Sequence, residues 1–95
     1  MIPSGVRIFV CSEPQDMRRS FNGLSNTARE VLGQDPDSGA LFVFTNKRRN
    51  RLKIMWFDGN GHCMLYKRVH RARFRLPDVA TIDAGQLARI LKAHL

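Results

Sequence analysis

Cysteine is scarce in this chain of 95 residues: there are two, Cys11 and Cys63, far apart. A small secreted scaffold held by disulfides uses more. The chain therefore reads as a reduced, cytoplasmic protein whose thiols are small core or boundary residues. Long apolar runs are absent as well. Nothing approaches the ~18 residues that a membrane helix needs. The apolar stretch at Met1–Val10 is broken by Arg7 and is too short for a secretory h-region. Repeats and low-complexity segments are missing. The length suits one domain, 1–95, and is too short for a Rossmann domain, a TIM barrel or a kinase. Acid is the scarcest charge: 8 Asp+Glu stand against 16 Lys+Arg, a net +8.

That excess is not spread evenly. Lys47, Arg48, Arg49, Arg51, Lys53, Lys67, Arg68, Arg71, Arg73 and Arg75 face one acid, Asp58, in the segment 47–75. The segment carries +9 and everything else −1. Arginine dominates it, and guanidinium forks match phosphate oxygens and guanine edges. A solvated sheet face usually mixes signs; this segment does not. Phosphate or another polyanion, nucleic acid among them, is the partner such a surface seeks. Trp56 and Tyr66 interleave with these charges and are candidates to stack on bases, with burial in the core as the competing role. The tip at 47–51 and the return at 67–75 are expected to meet only if the strands pair out of simple hairpin order or the sheet curls.

The remaining pattern predicts an α+β fold. Val6–Cys11 reads as an N-terminal strand. Asp16 is placed to cap a helix over about 16–32, with Met17, Phe21, Leu24, Ala28 and Val31 on one face and Gly33 as its stop. Leu41–Thr45 is a continuous apolar strand, buried on both faces. Arg51–Phe57 and His62–Val69 flank the turn Asp58-Gly59-Asn60-Gly61, and Arg71–Leu76 is a fourth short strand before Pro77. An antiparallel meander over about 41–76 results. Asp83 and Gln86 form a capping box, with Ile82 and Leu87 as a staple, for a second helix over about 83–94. Both helices are expected on one face of the sheet.

Three ordered stretches carry a resemblance: Glu13-Pro14-Gln15-Asp16-Met17-Arg18-Arg19-Ser20-Phe21-Asn22-Gly23-Leu24, Asp35-Pro36-Asp37-Ser38-Gly39-Ala40-Leu41-Phe42-Val43-Phe44, and Arg51-Leu52-Lys53-Ile54-Met55-Trp56-Phe57-Asp58-Gly59-Asn60-Gly61. Lys67-Arg68, Arg73-Phe74 and Pro77 continue the series. The chain resembles the TnpB-type accessory proteins of bacterial insertion sequences that encode TnpA, TnpB and a DDE transposase, TnpC. This family is unrelated to the RNA-guided nuclease that shares the TnpB name. The resemblance spans about residues 5–95. It implies a transposition accessory protein that assists the transposase and leaves the recombination chemistry to it. The implied partners are DNA, the transposase and the companion accessory protein.

No catalytic or cofactor site emerges from the residues. His62 and Cys63 are neighbours on a strand and point to opposite faces, so they are poorly placed to share a zinc ion. No base is sequence-local to Cys11, and no nucleophile elbow is present. Asp16 reads as a cap, and Asp35, Asp37 and Asp58 read as turn formers rather than a metal cluster. The expectation is a DNA-binding, non-enzymatic protein without metal or cofactor. Its alternative is a protein-docking module that uses Phe42, Phe44, Trp56 and Phe57 or the terminal helix.

Overall fold

The computed structural model describes residues 5–95; the first four residues of the expected domain lie outside it. The chain runs β1 (Ile8–Val10), α1 (Phe21–Glu30), β2 (Leu41–Thr45), β3 (Arg51–Phe57), β4 (His62–Arg68), β5 (Thr81–Ile82) and α2 (Ala84–Lys92). The sheet order is β4-β3-β2-β1-β5. The segment β2–β3–β4 is the expected antiparallel meander, in unbroken register from Arg51↔Arg68 to Phe57↔His62. β1 lies parallel to β2, a pairing that needs a crossover. α1 provides it.

Both helices do not lie on one face. Side chains alternate along a strand, and the apolar ones divide into two cores. Ile8, Val10, Leu41, Val43, Leu52 and Ile54 meet Leu87 and Ile90 of α2. Phe9, Phe42, Phe44 and Met55 meet Leu24 and Ala28 of α1. Every residue of β2 is buried. A strand apolar on both sides needs cover on both sides, and one layer of helices cannot supply it.

Three elements also differ from the expectation. The first helix begins at Phe21, not at Asp16. Asp16 forms a turn instead: its carbonyl accepts from Arg19 N–H at 3.0 Å and its carboxylate grips the Arg18 guanidinium at 2.7–3.1 Å. The fourth strand of the expected meander is absent. Residues 71–76 make one bridge, Arg73↔His94, because Phe74 leaves the sheet edge to enter the α2-side core. A strand not foreseen, β5, takes the free edge of β1. At α2 the capping box is present: Asp83 Oδ1 accepts from Gln86 N–H at 2.7 Å, and Asp83 N–H donates to Gln86 Oε1 at 2.9 Å.

Gly23 sits inside α1, where glycine costs about 1 kcal/mol relative to alanine. A Cβ there would come within 2.9 Å of Arg19 Nε. The half-buried Arg19 fills that space, donating to Gln15 Oε1 at 2.7 Å, Thr27 Oγ1 at 2.8 Å and the Gly23 carbonyl at 2.8 Å. Arg18 and Arg19 thus stand before the helix, each engaged within the fold.

Candidate nucleic-acid interface

In an antiparallel meander the end of one strand returns beside the start of the strand it pairs with. The β2–β3 loop and the end of β4 therefore share one end of the molecule, in simple hairpin order. No crossover or curl is needed, contrary to the expectation from sequence. Val69 N–H donates to the Asn50 carbonyl at 2.9 Å and Phe74 N–H to the Arg49 carbonyl at 2.8 Å, which ties the 69–75 segment to the loop.

Asn46 shapes that loop. Its Oδ1 accepts from the N–H groups of Asn50 and Arg51, both at 3.1 Å, and its Nδ2 donates to Asn50 Oδ1 at 2.7 Å. Asparagine suits such side-chain-to-backbone closure. Arg49 takes the left-handed conformation, φ 60°, and its guanidinium reaches Thr45 Oγ1 at 3.3 Å. Lys47 and Arg48 are left exposed at the apex.

The ten basic residues then separate by role. Lys53 and Lys67 are half-buried struts. Lys53 Nζ donates to the Arg19 carbonyl at 2.9 Å, just ahead of α1, and lies 5.4 Å from the centre of the Tyr66 ring. Lys67 Nζ donates to the Leu91 carbonyl at 2.6 Å, where it satisfies the C-terminal end of α2 and its negative dipole. These two ammonium groups are on opposite faces. Arg51 and Arg68 are cross-strand partners, and such side chains are neighbours on one face. Arg71, Arg73 and Arg75 are exposed, bonded to backbone carbonyls at most.

Among the described residues the close contacts between a basic side chain and a carboxylate are Arg18–Asp16 and His62–Asp37. None of the ten basic residues takes part in one. Like charges facing each other across a ladder are destabilising, and Arg51 opposite Arg68 has no acid within ion-pairing distance. An anion placed between them would relieve that repulsion.

Two contributors were not foreseen. Arg89 and His94 of the C-terminal region line a cleft of about 350 Å³ with Arg75 and Gln86. The Arg73↔His94 bridge brings His94 there, and α2 carries Arg89. The stacking candidates are not brought together. Tyr66 is half exposed, on the α1 face with Arg51 and Arg68. Trp56 is half-buried on the other face, near the far turn, in an apolar cavity with Ile54, Leu65 and Leu91. The docking surface imagined at Phe42 and Phe44 does not exist, since both are fully buried.

Burial pushes the Cys11 thiol above its ordinary pKa, the opposite of a reactive thiolate. His62 packs against the Phe21 ring, 3.8 Å between centroids, with Nε2 3.0 Å from Asp37 Oδ1. Cys63 Sγ donates to Asp58 Oδ2 at 3.6 Å.

A family model described as IS66 Orf2 like protein matches residues 6–94. Two relatives come from Sinorhizobium fredii (strain NBRC 101917 / NGR234). The uncharacterized protein y4hO is 38% identical over 97 residues, covering 96% of this chain and 84% of its own length. The uncharacterized protein y4jC is 39% identical over 75 residues, covering 79% of this chain and 64% of its own length. No solved structure matches the chain.

Proposed function

The chain belongs to the IS66 Orf2-like family of insertion-sequence accessory proteins, and from that premise we propose that it binds DNA with the open end of the β3–β4 hairpin. The carrying observation is the set of exposed or half-exposed cations Lys47, Arg48, Arg51, Arg68, Arg71, Arg73 and Arg75, none of them paired with an acid. Lys53 and Lys67 support the strands that present them. Tyr66 offers a ring beside Arg68 on the same face. The protein contributes contacts and orientation, and the transposase performs the recombination chemistry. The reading places the protein with the element's DNA in the cytoplasm. No helix among the described residues is long and apolar enough to cross a membrane.

Fluorescence anisotropy tests this with a duplex carrying the element's terminal repeat, a scrambled duplex and single-stranded DNA, each over a salt series. About six phosphate contacts give a slope of log K on log salt near −5 for duplex DNA. Tighter binding to the terminal repeat marks recognition, and equal binding to all three marks a nonspecific role. Arg48→Glu with Arg71→Glu is expected to weaken binding by about 100-fold or more at low salt, since two phosphate attractions become repulsions. Absence of binding at low salt overturns the reading and makes the transposase the ligand to test.

A further inference from the structure

We propose that the open edge of β4 pairs antiparallel with β4 of a second copy of this chain, centred on Leu65. β4 ends the sheet order and carries seven residues, with no proline and no bulge. Met64, Leu65 and Tyr66 are exposed to 36%, 39% and 51% in its middle. A long edge of this kind usually carries a guarding charge. Here the lysine placed to guard it, Lys67, is turned onto the Leu91 carbonyl.

The backbone bonds say which groups are free. Val69 N–H bonds the Asn50 carbonyl and Asp58 N–H the Gly61 carbonyl. With the β3–β4 register, those bonds make Leu52–Lys67, Ile54–Leu65 and Trp56–Cys63 the hydrogen-bonded pairs. The N–H and C=O groups of His62, Met64, Tyr66 and Arg68 then project toward the open edge. Antiparallel pairing about Leu65 sets Met64 against Tyr66 of the second copy and His62 against its Arg68. Every outward group meets an outward group, for about eight hydrogen bonds across the two-fold. A shift by two residues shortens the ladder to 62–66 or 64–68. A shift by one sets outward groups against inward ones.

Charge selects the same arrangement. The start of β4 carries acid: His62 Nε2 touches Asp37 Oδ1 at 3.0 Å, and Cys63 Sγ touches Asp58 Oδ2 at 3.6 Å. Its end carries Lys67 and Arg68. Antiparallel pairing sets each cationic end against the other copy's acidic start. Parallel pairing would set Arg68 against Arg68. The Leu65 pair meets beside the apolar cavity of about 590 Å³ that Leu65 lines with Trp56 and Leu91.

Sedimentation of the full chain at micromolar concentration is expected to give twice the 10.9 kDa chain mass. Arg68→Glu is expected to weaken the dimer by about tenfold or more by placing like charges together, and adding Asp37→Arg to restore it. Tyr66→Pro removes an outward N–H and is expected to dissociate the dimer while circular dichroism stays unchanged; if that variant fails to fold, the charge swap and a cross-link decide. The cross-link is Leu65→Cys in a Cys63→Ser background. Facing residues of a non-hydrogen-bonded pair are about 4.5 Å apart at Cα, within disulfide reach, so mild oxidation is expected to join two chains. Cys63 of the unaltered chain lies roughly 14 Å from its own copy in this register and is expected not to join. A particle of single-chain mass at every concentration overturns the proposal. So does a dimer that is indifferent to the charge swap and does not cross-link at Leu65→Cys.

Discussion

The two ends of the β3–β4 hairpin are built from the same ladder and treat charge in opposite ways. At the closed end Asp58 Oδ1 accepts from the N–H groups of Asn60 and Gly61 at 3.1 and 2.9 Å, and those bonds hold its carboxyl below the usual carboxylate range. Asp35 accepts from Asp37 N–H at 2.9 Å, and Asp37 pairs with His62. Each carboxylate there has a hydrogen-bond partner within the fold. At the open end Arg51 faces Arg68, and Lys47, Arg48 and Arg71 have no acid partner. The carboxylates of the closed end are bonded within the fold, and the guanidinium groups of the open end are not paired with acids among the described residues. The same distinction separates the lysines of β3 and β4, which are tied to backbone carbonyls, from the arginines around them.

The harshest way to break the comparison is Phe74→Ala. It empties a fully buried site and is expected to destabilise the protein by about 3–5 kcal/mol. It also loosens the 69–75 segment, so DNA affinity is expected to fall even at temperatures where circular dichroism reports a folded chain. Thermal melts alongside anisotropy check both effects.

A milder pair sharpens it. Lys67→Ala is expected to cost about 1 kcal/mol through the lost bond to the Leu91 carbonyl. That is about 4–8 °C in Tm for a domain of this size, with the salt dependence of DNA binding unchanged. Arg68→Ala, its chain neighbour, is expected to leave the Tm of the single chain level or slightly raised, measured at concentrations too low for two copies to pair, because the facing Arg51 loses a like charge. The salt slope should fall by about 1. A Tm loss for Arg68→Ala with an unchanged slope would reverse the assignment of the two residues.

The smallest effect is acid sensitivity. The side-chain bond from Arg18 holds Asp16 down to about 2, and backbone bonds from Asn60 and Gly61 lower Asp58. Both groups are depressed in the folded state. Their contribution is full above the unfolded pKa near ~4 and is lost as pH falls through the lowered folded values, about 2 for Asp16. Tm is therefore expected to drop between about pH 4 and 2, modestly because both sites are exposed and screened. Asp16→Asn with Asp58→Asn should flatten that part of the curve. The open end has no counterpart there, since arginine does not titrate in this range.

Much of this was legible in the residues. Asp83 and Gln86 announced the capping box, and Asp58-Gly59-Asn60-Gly61 announced the hairpin, because both motifs satisfy backbone groups a few residues away. The alternation of Leu52 and Ile54 against Lys53 and Met55 gave the two faces of β3. The meander itself also implied that its ends meet, a consequence of strand direction that the charge pattern alone does not reveal. Asp16 misled because an acid before an apolar face looks like a cap, while Arg18, two residues on, offered its carboxylate a stronger partner.

Composition, local pattern and short-range bonds determined the α+β class, the hairpin, the α2 cap and the concentration of cations in 47–75, because each depends on residues near one another in the chain. Only the tertiary structure decided which lysines are struts, that α1 and α2 lie on opposite faces, that Phe74 pins the basic segment to the loop, and that Arg89 and His94 join it. These outcomes depend on long-range packing: two apolar faces of β2 that must both be covered, and carbonyls at Arg19 and Leu91 whose distance from Lys53 and Lys67 only the folded chain sets.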